Sequence, residues 1–211
     1  MEINKIIIDA LTWRRAIGAF DTTKKVSEEN LKTILESANL SASSYGLEAW
    51  KFIVVTNPEI RAKLRAVGYD QPKITDASHL VVIARRTDTN NLSSEATARL
   101  AQAQNKSVEE LAGFKGMVDG AMSYKEEGQV RDAWIASQTY IALGSMMETA
   151  SLLAVDNAPM EGFDAGQVNE ILGLTGKNLS AVTMLALGYR DESAPLTPKV
   201  RRNYDDVIEF V

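Results

Sequence analysis

Apolar residues recur along this chain at helical and at strand spacings. Ile3, Ile7, Ala10 and Leu11 share one helical face, and so do Leu31, Ile34, Leu35 and Ala38, with Ser27 placed to cap the second helix. Residues 50–56, 80–84 and 181–188 read as strands, and the unbroken Leu-Val-Val-Ile-Ala run at 80–84 suits a strand buried on both faces. Asn57 and Pro58 fit the cap and first position of a helix over 59–67, and 165–172 reads as another short helix. The longest element is a helix over 134–155. Its apolar residues, Ile135, Tyr140, Ile141, Leu143, Met146, Met147, Leu152 and Leu153, go nearly all the way round. A helix apolar on every side is buried, in a core or against another subunit, and Met146 is expected at that packed contact.

Two stretches break the pattern. Residues 88–128 are polar, helical and interrupted by glycines at 113, 116, 120 and 128, so they bury little alone. They read as an excursion from the core, either a lid or a helical hairpin with no role of its own. After the long helix comes Ala158-Pro159-Met160-Glu161-Gly162-Phe163-Asp164. Proline fixes the backbone and glycine admits a close neighbour, so this segment is either a rigid platform for a flat polar ligand or an ordinary turn.

Composition narrows the chemistry. The 211 residues, 45% of them hydrophobic, fit one domain with a sizeable core, and the net charge of −5 leaves no basic stripe for nucleic acid. The absence of cysteine excludes disulfides, thiolate metal sites and a cysteine nucleophile. The one histidine, His79, sits at the mouth of an apolar strand and reads as a core residue. The N-terminus lacks the pattern of a signal peptide, and no run of about 18 charge-free apolar residues exists, so a cytoplasmic location is expected. There is no G-x-G-x-x-G after a strand, and Gly173-Leu174-Thr175-Gly176-Lys177-Asn178 lacks P-loop spacing. Arg14 and Arg15, joined by Lys199 and Arg201 from far along the chain, form either a phosphate site or a solvated basic face.

The order of these features resembles the nitroreductase family of FMN-dependent, NAD(P)H-using flavoenzymes. The resemblance runs through Arg14-Arg15-Ala16-Ile17-Gly18-Ala19-Phe20-Asp21, then Ser41-Ala42-Ser43-Ser44 ahead of Trp50-Lys51-Phe52-Ile53-Val54. It continues through Tyr69-Asp70-Gln71-Pro72-Lys73, Asp76-Ala77-Ser78-His79, Gln138, Pro159-Met160-Glu161-Gly162-Phe163-Asp164 and Pro198-Lys199-Val200-Arg201. The Pro-x-Glu-Gly-Phe element is the most specific piece.

The resemblance implies an α+β fold, a mixed sheet flanked by helices, in an intertwined homodimer with two FMN sites at the interface. It places Arg14, Arg15, Lys199 and Arg201 at the phosphate and ribityl groups, and Lys73 and Asp70 at the pyrimidine edge of the flavin. It sets Pro159, Met160, Glu161 and Gly162 against the isoalloxazine, with a main-chain N–H of Gly162 or its neighbour near N5. Ala42, Ser43, Ser44, Gly46 and Gln138 would come from the second subunit, and the apolar tail would pair across to it. The chain departs from the family pattern at Ala16, where serine is common, and at Gly18, where a basic residue is common. Gly46 and Asp70 stand where asparagines are usual, and Glu48-Ala49 replaces Gln-Pro. The implied activity is hydride transfer from NAD(P)H through the flavin to a small nitroaromatic or quinone-like acceptor. A flavin store or sensor, and a cofactor-free interaction protein, are the alternatives from other classes.

Overall fold

Four antiparallel strands in the order β1-β2-β4-β3 carry the fold, and helices cover both faces of the sheet. The structure, a computed structural model, describes residues 2–125 and 128–211. In chain order the elements are α1 (Ile3–Trp13), α2 (Glu28–Asn39), β1 (Trp50–Val55), α3 (Pro58–Val67), α4 (Lys73–Asp76) and β2 (His79–Arg86). They continue with α5 (Leu92–Gln104), α6 (Ala112–Tyr124), α7 (Gln129–Leu152), β3 (Asp156–Met160), α8 (Ala165–Leu172) and β4 (Leu179–Gly188). Local chemistry sets the ends. The Ser27 side chain accepts from Asn30 N, Asn57 from Glu59 N and Ile60 N, and Asp164 from Gln167 N, so three helices start on side-chain caps.

The central strand β2 explains the two-sided core. Side chains alternate along a strand, so Leu80, Val82 and Ala84 face one way, with Leu64, Ile74, Val168 and Met184. Val81 and Ile83 face the other, with Ile34, Ala38, Leu143 and Met146. Among the described residues no helix is long and apolar enough to cross a membrane.

Several expectations are corrected. The long helix starts a turn or more early, at Gln129, and ends at Leu152. It is not buried all round: Tyr140, Ile141 and Leu152 are 41%, 46% and 44% exposed, in one stripe with Val130, Ala133, Ser137, Gly144 and Glu148. Small residues between the large ones concealed that stripe in the sequence pattern. Met146, by contrast, is fully buried in the chain's own core and lies on no outer contact. The segment after the helix is neither turn nor loop at first, because Asp156–Met160 pairs with β4 as an edge strand. Proline is tolerated on such an edge. The mixed character implied for the sheet reduces to one parallel bridge, Ala16 to Asn157, beside four antiparallel strands. Residues 88–128, of which Glu126 and Glu127 lie outside the described residues, bury more than their polarity suggested. Leu92, Ala96, Val118 and Met122 form a small core of their own with Leu47, Ala49 and Ile135.

Candidate functional site

Backbone pairing brings distant site residues together. The bridge from Ala16 to Asn157 lays the end of α1 along β3, and Phe20 bridges to Arg190 just past β4. An ion pair secures the same corner: Arg190 donates from N and Nε to the buried Asp156 carboxylate at 2.8 and 2.9 Å, with its guanidinium 4.4 Å from the Trp13 ring centroid. Arg14, Arg15 and Ala16 thereby meet Thr197, Lys199 and Arg201 around a cleft of about 220 Å³.

Three of the four cations of this cleft donate to backbone carbonyls. Arg15 donates to Thr197 O at 3.3 Å, and Lys199 to Arg14 O at 3.1 Å and also to Leu11 O. Arg201 donates to Val200 O at 2.7 Å. Among the described residues no carboxylate forms an ion pair with any of the four. Burial, then the charge of Arg201, lowers the Arg14 pKa, and burial followed by Arg14, Arg201 and Arg15 lowers that of Lys199. These charges repel one another, and an anion would relieve them.

Beyond β3 the chain turns at Glu161 and Gly162, both exposed. Gly162 O accepts from Gln71 Nε2 at 2.7 Å, so the 159–162 segment and the loop before α4 are joined. The Gly162 N–H donates to no protein group among the described residues. A Cβ at Gly162 would lie 3.5 Å from Gln71 and from the Tyr69 ring, in ordinary contact, so what matters here is the main-chain donor rather than a missing side chain. Lys73 begins α4 and is partly buried, which lowers its pKa. Asp70 does not pair with it: Arg65 Nε donates to Asp70 Oδ1 at 2.6 Å.

The remaining candidates gather elsewhere. Ser44 N donates to Gln138 Oε1 at 2.9 Å, and Ser41 Oγ to Ser145 Oγ at 2.9 Å, so the loop with Ala42, Ser43, Ser44 and Gly46 rests on one edge of α7. Tyr140 OH donates to Glu161 Oε1 at 2.7 Å from the other edge, since residues two apart on a helix point about 200° apart. Burial, then the Glu161 hydrogen bond and charge, pushes the Tyr140 pKa up to about 12. Within one chain, therefore, the Ala16–Asn157 bridge ties the cationic cleft to the strand that runs into 159–162, while the 41–46 loop rests on the edge of α7 away from Glu161. Gly18 does not line that cleft but a neighbouring pocket, which it shares with Arg15, Arg190, Asp191 and Pro195.

The sequence model of the Nitroreductase family matches residues 11–189, most of the chain. The chain belongs to this family. A relative from Staphylococcus aureus, provisionally named an NAD(P)H nitroreductase, is 38% identical over 99% of this chain and 97% of its own length. The fold of this nitroreductase-family chain is shared with a nitroreductase-like protein of Streptococcus mutans, at TM-score 0.85 and 18% identity over all of both chains. A protein of Exiguobacterium sibiricum, provisionally assigned as a nitroreductase and solved in complex with FMN, matches at TM-score 0.79 and 20% identity, over all of this chain and 98% of that one. Sequence reading missed Tyr140, Arg65 and Gln71 as neighbours of the candidate site. A lone tyrosine two residues after Gln138 in an apolar helix was the available signal for the first; the other two depend on tertiary contact alone.

Proposed function

We propose that this chain is an FMN-dependent oxidoreductase that takes hydride from NAD(P)H and passes it to a small aromatic or quinone-like acceptor. The observation that carries this reading is the cleft of Arg14, Arg15, Lys199 and Arg201, cationic and with no ion-paired carboxylate among the described residues, tied by the Ala16–Asn157 bridge to the strand that runs on to Gly162, whose N–H has no acceptor among them. Its chemistry fits a phosphate at one end of a ligand and a hydrogen-bond acceptor at the other. When bound, FMN supplies the two-electron chemistry that a chain without cysteine and with one histidine does not itself offer. The chain's own residues bind and orient. Arg14 and Arg201 neutralise the phosphate, Arg15 and Lys199 hold the tail against α1, and Ala16 and Gly18 shape the main chain beside them. Pro159 and Met160 fix the strand that presents Glu161 and Gly162, and the Gly162 N–H donates to the ring. Lys73 places positive charge near the pyrimidine edge, where negative charge accumulates on reduction.

The reading includes a homodimer. The exposed stripe on α7 is bordered by Gln138 with the 41–46 loop on one edge and by Tyr140 with Glu161 on the other. A two-fold contact along that stripe is isologous. It would set the Ala42, Ser43, Ser44, Gly46 and Gln138 edge of one copy beside the 159–162 segment of the other, completing two sites.

The absorbance spectrum of the purified protein, before and after NADH or NADPH, tests the reading. Flavin bands that bleach on addition of the nucleotide, and return when an electron acceptor is added, are expected. A colourless protein that takes up no added FMN overturns it, and bound flavin that neither nucleotide bleaches points to a store or sensor.

A further inference from the structure

The loop carrying Ser43, Ser44 and Gly46 is held in a conformation that side chains resist. Tyr45 and Glu48 take φ of +55° and +47° around Gly46 at +63°. A Cβ there crowds the backbone, so such residues persist only where their surroundings over-determine them. Two ties come from the loop and α7: Ser43 Oγ accepts from Glu48 N, and Gln138 Oε1 from Ser44 N, each at 2.9 Å. The third comes from the excursion. Arg99 on α5 donates from Nη2 to Gly46 O at 2.7 Å and Leu47 O at 3.2 Å, and its Nε lies 3.6 Å from the Glu48 carboxylate. It does so at the edge of a pocket of about 400 Å³ that Tyr45, Leu100 and Phe114 also line.

We infer that Arg99 is a positioning residue for the cofactor site, acting through the Gly46 and Leu47 carbonyls to hold the loop in its strained form. The inference rests on the flavin reading, because the loop is assigned there to the cofactor. It also goes beyond it: the excursion at 88–128 is joined to the site through this guanidinium, so movement of α5 and loosening of the loop are one event. An arginine suits the task because its Nη2 carries two N–H donors for the two carbonyls while Nε of the same rigid plane stays beside the Glu48 carboxylate, whereas a lysine ammonium offers a single point of charge. The side chain is 43% exposed and belongs to none of the buried apolar clusters, so its removal costs the chain's cores little.

The test compares Arg99→Ala, Arg99→Lys and Glu48→Gln with the parent, by flavin-fluorescence titration of the apoprotein and by amide hydrogen exchange across residues 44–48. Arg99→Ala is expected to raise the FMN dissociation constant by roughly five- to tenfold, the scale of one to two modest hydrogen bonds. Exchange of the Gly46 and Leu47 amides should quicken while the melting temperature of the chain stays near the parent's. Arg99→Lys should restore part of both, and Glu48→Gln, which leaves the carbonyl bonds intact, should match the parent. Parent-like affinity in Arg99→Ala overturns the inference, with or without faster exchange, and so does an equal loss in Glu48→Gln. A parent that takes up no FMN overturns the flavin reading, and this inference with it.

Discussion

Lys73 is the residue whose environment most directly sets a chemical property of the proposed site. It opens the four-residue helix α4, and Arg61 holds the far side of that turn by donating to Ile74 O at 2.8 Å and Ala77 O at 2.6 Å. Partial burial lowers the Lys73 pKa, which means that its charge is poorly solvated and gains from a nearby negative group. Reduced flavin offers more negative charge than oxidised flavin, so an ammonium at the proposed place would stabilise the reduced state. Lys73→Met is expected to lower the midpoint potential by tens of millivolts, about 30 mV corresponding to roughly 1.4 kcal/mol for two electrons. Spectroelectrochemical titration checks this, and an unchanged midpoint would remove Lys73 from the flavin edge. Asp70 is less influential than its place in the sequence suggests. Its carboxylate is engaged by Arg65 and its side chain is 82% exposed, so Asp70→Asn should move the potential less than Lys73→Met does.

At the scale of elements, α7 sorts substitutions by face. Ile141 lies on the exposed stripe, whereas Met146 packs into the core with Ile34, Ala142 and Leu185. A charge at Met146 would be buried without a partner, at a cost of several kcal/mol, so Met146→Asp should unfold the chain or leave it molten. Ile141→Asp should keep the helical circular dichroism and instead yield a monomer with weakened FMN binding. Sedimentation velocity separates the two outcomes, and a dimeric Ile141→Asp protein would count against the α7 contact. This distinction was not legible in the sequence. The 3.6-residue period reports which positions are apolar, not which apolar face is covered by the same chain, and Ala133, Ser137 and Gly144 suit either surroundings. Strands were read well where packing and pattern agree, as at 80–84. The edge strand Asp156–Met160 was lost because Asp, Asn and Pro disfavour strands, and only pairing with β4 on one side makes them acceptable. Of the candidate site, the arginines and the 159–162 segment were visible as sequence features. Their convergence depends on the Ala16–Asn157 bridge and on contacts made by Gln71, which no local pattern announces.

Taken as a whole molecule, the chain is acidic, with a net charge of −5, yet it gathers four cations around one cleft. The folded state therefore carries a local repulsion that the unfolded chain avoids. The sign of the pKa shifts agrees: Lys199 and Arg14 are both lowered, by burial first and by neighbouring cations second, so folding disfavours their charged forms, a penalty present in full while both are charged and relieved as rising pH discharges them. An anion that binds the folded cleft and not the unfolded chain offsets it and stabilises by mass action. Inorganic phosphate should thus raise the melting temperature of the apoprotein more than chloride does at equal ionic strength, because screening alone acts equally for both. FMN should raise it further, since the Gly162 N–H adds a second anchoring point. Arg201→Ala should remove most of the phosphate effect and raise the FMN dissociation constant by about one to two decades, the scale of a charge-assisted hydrogen bond of roughly 1.5–3 kcal/mol. If phosphate and chloride stabilise the parent equally, or if Arg201→Ala binds FMN within a factor of about two of the parent, well below that scale, the cleft is a solvated basic face and the phosphate assignment fails.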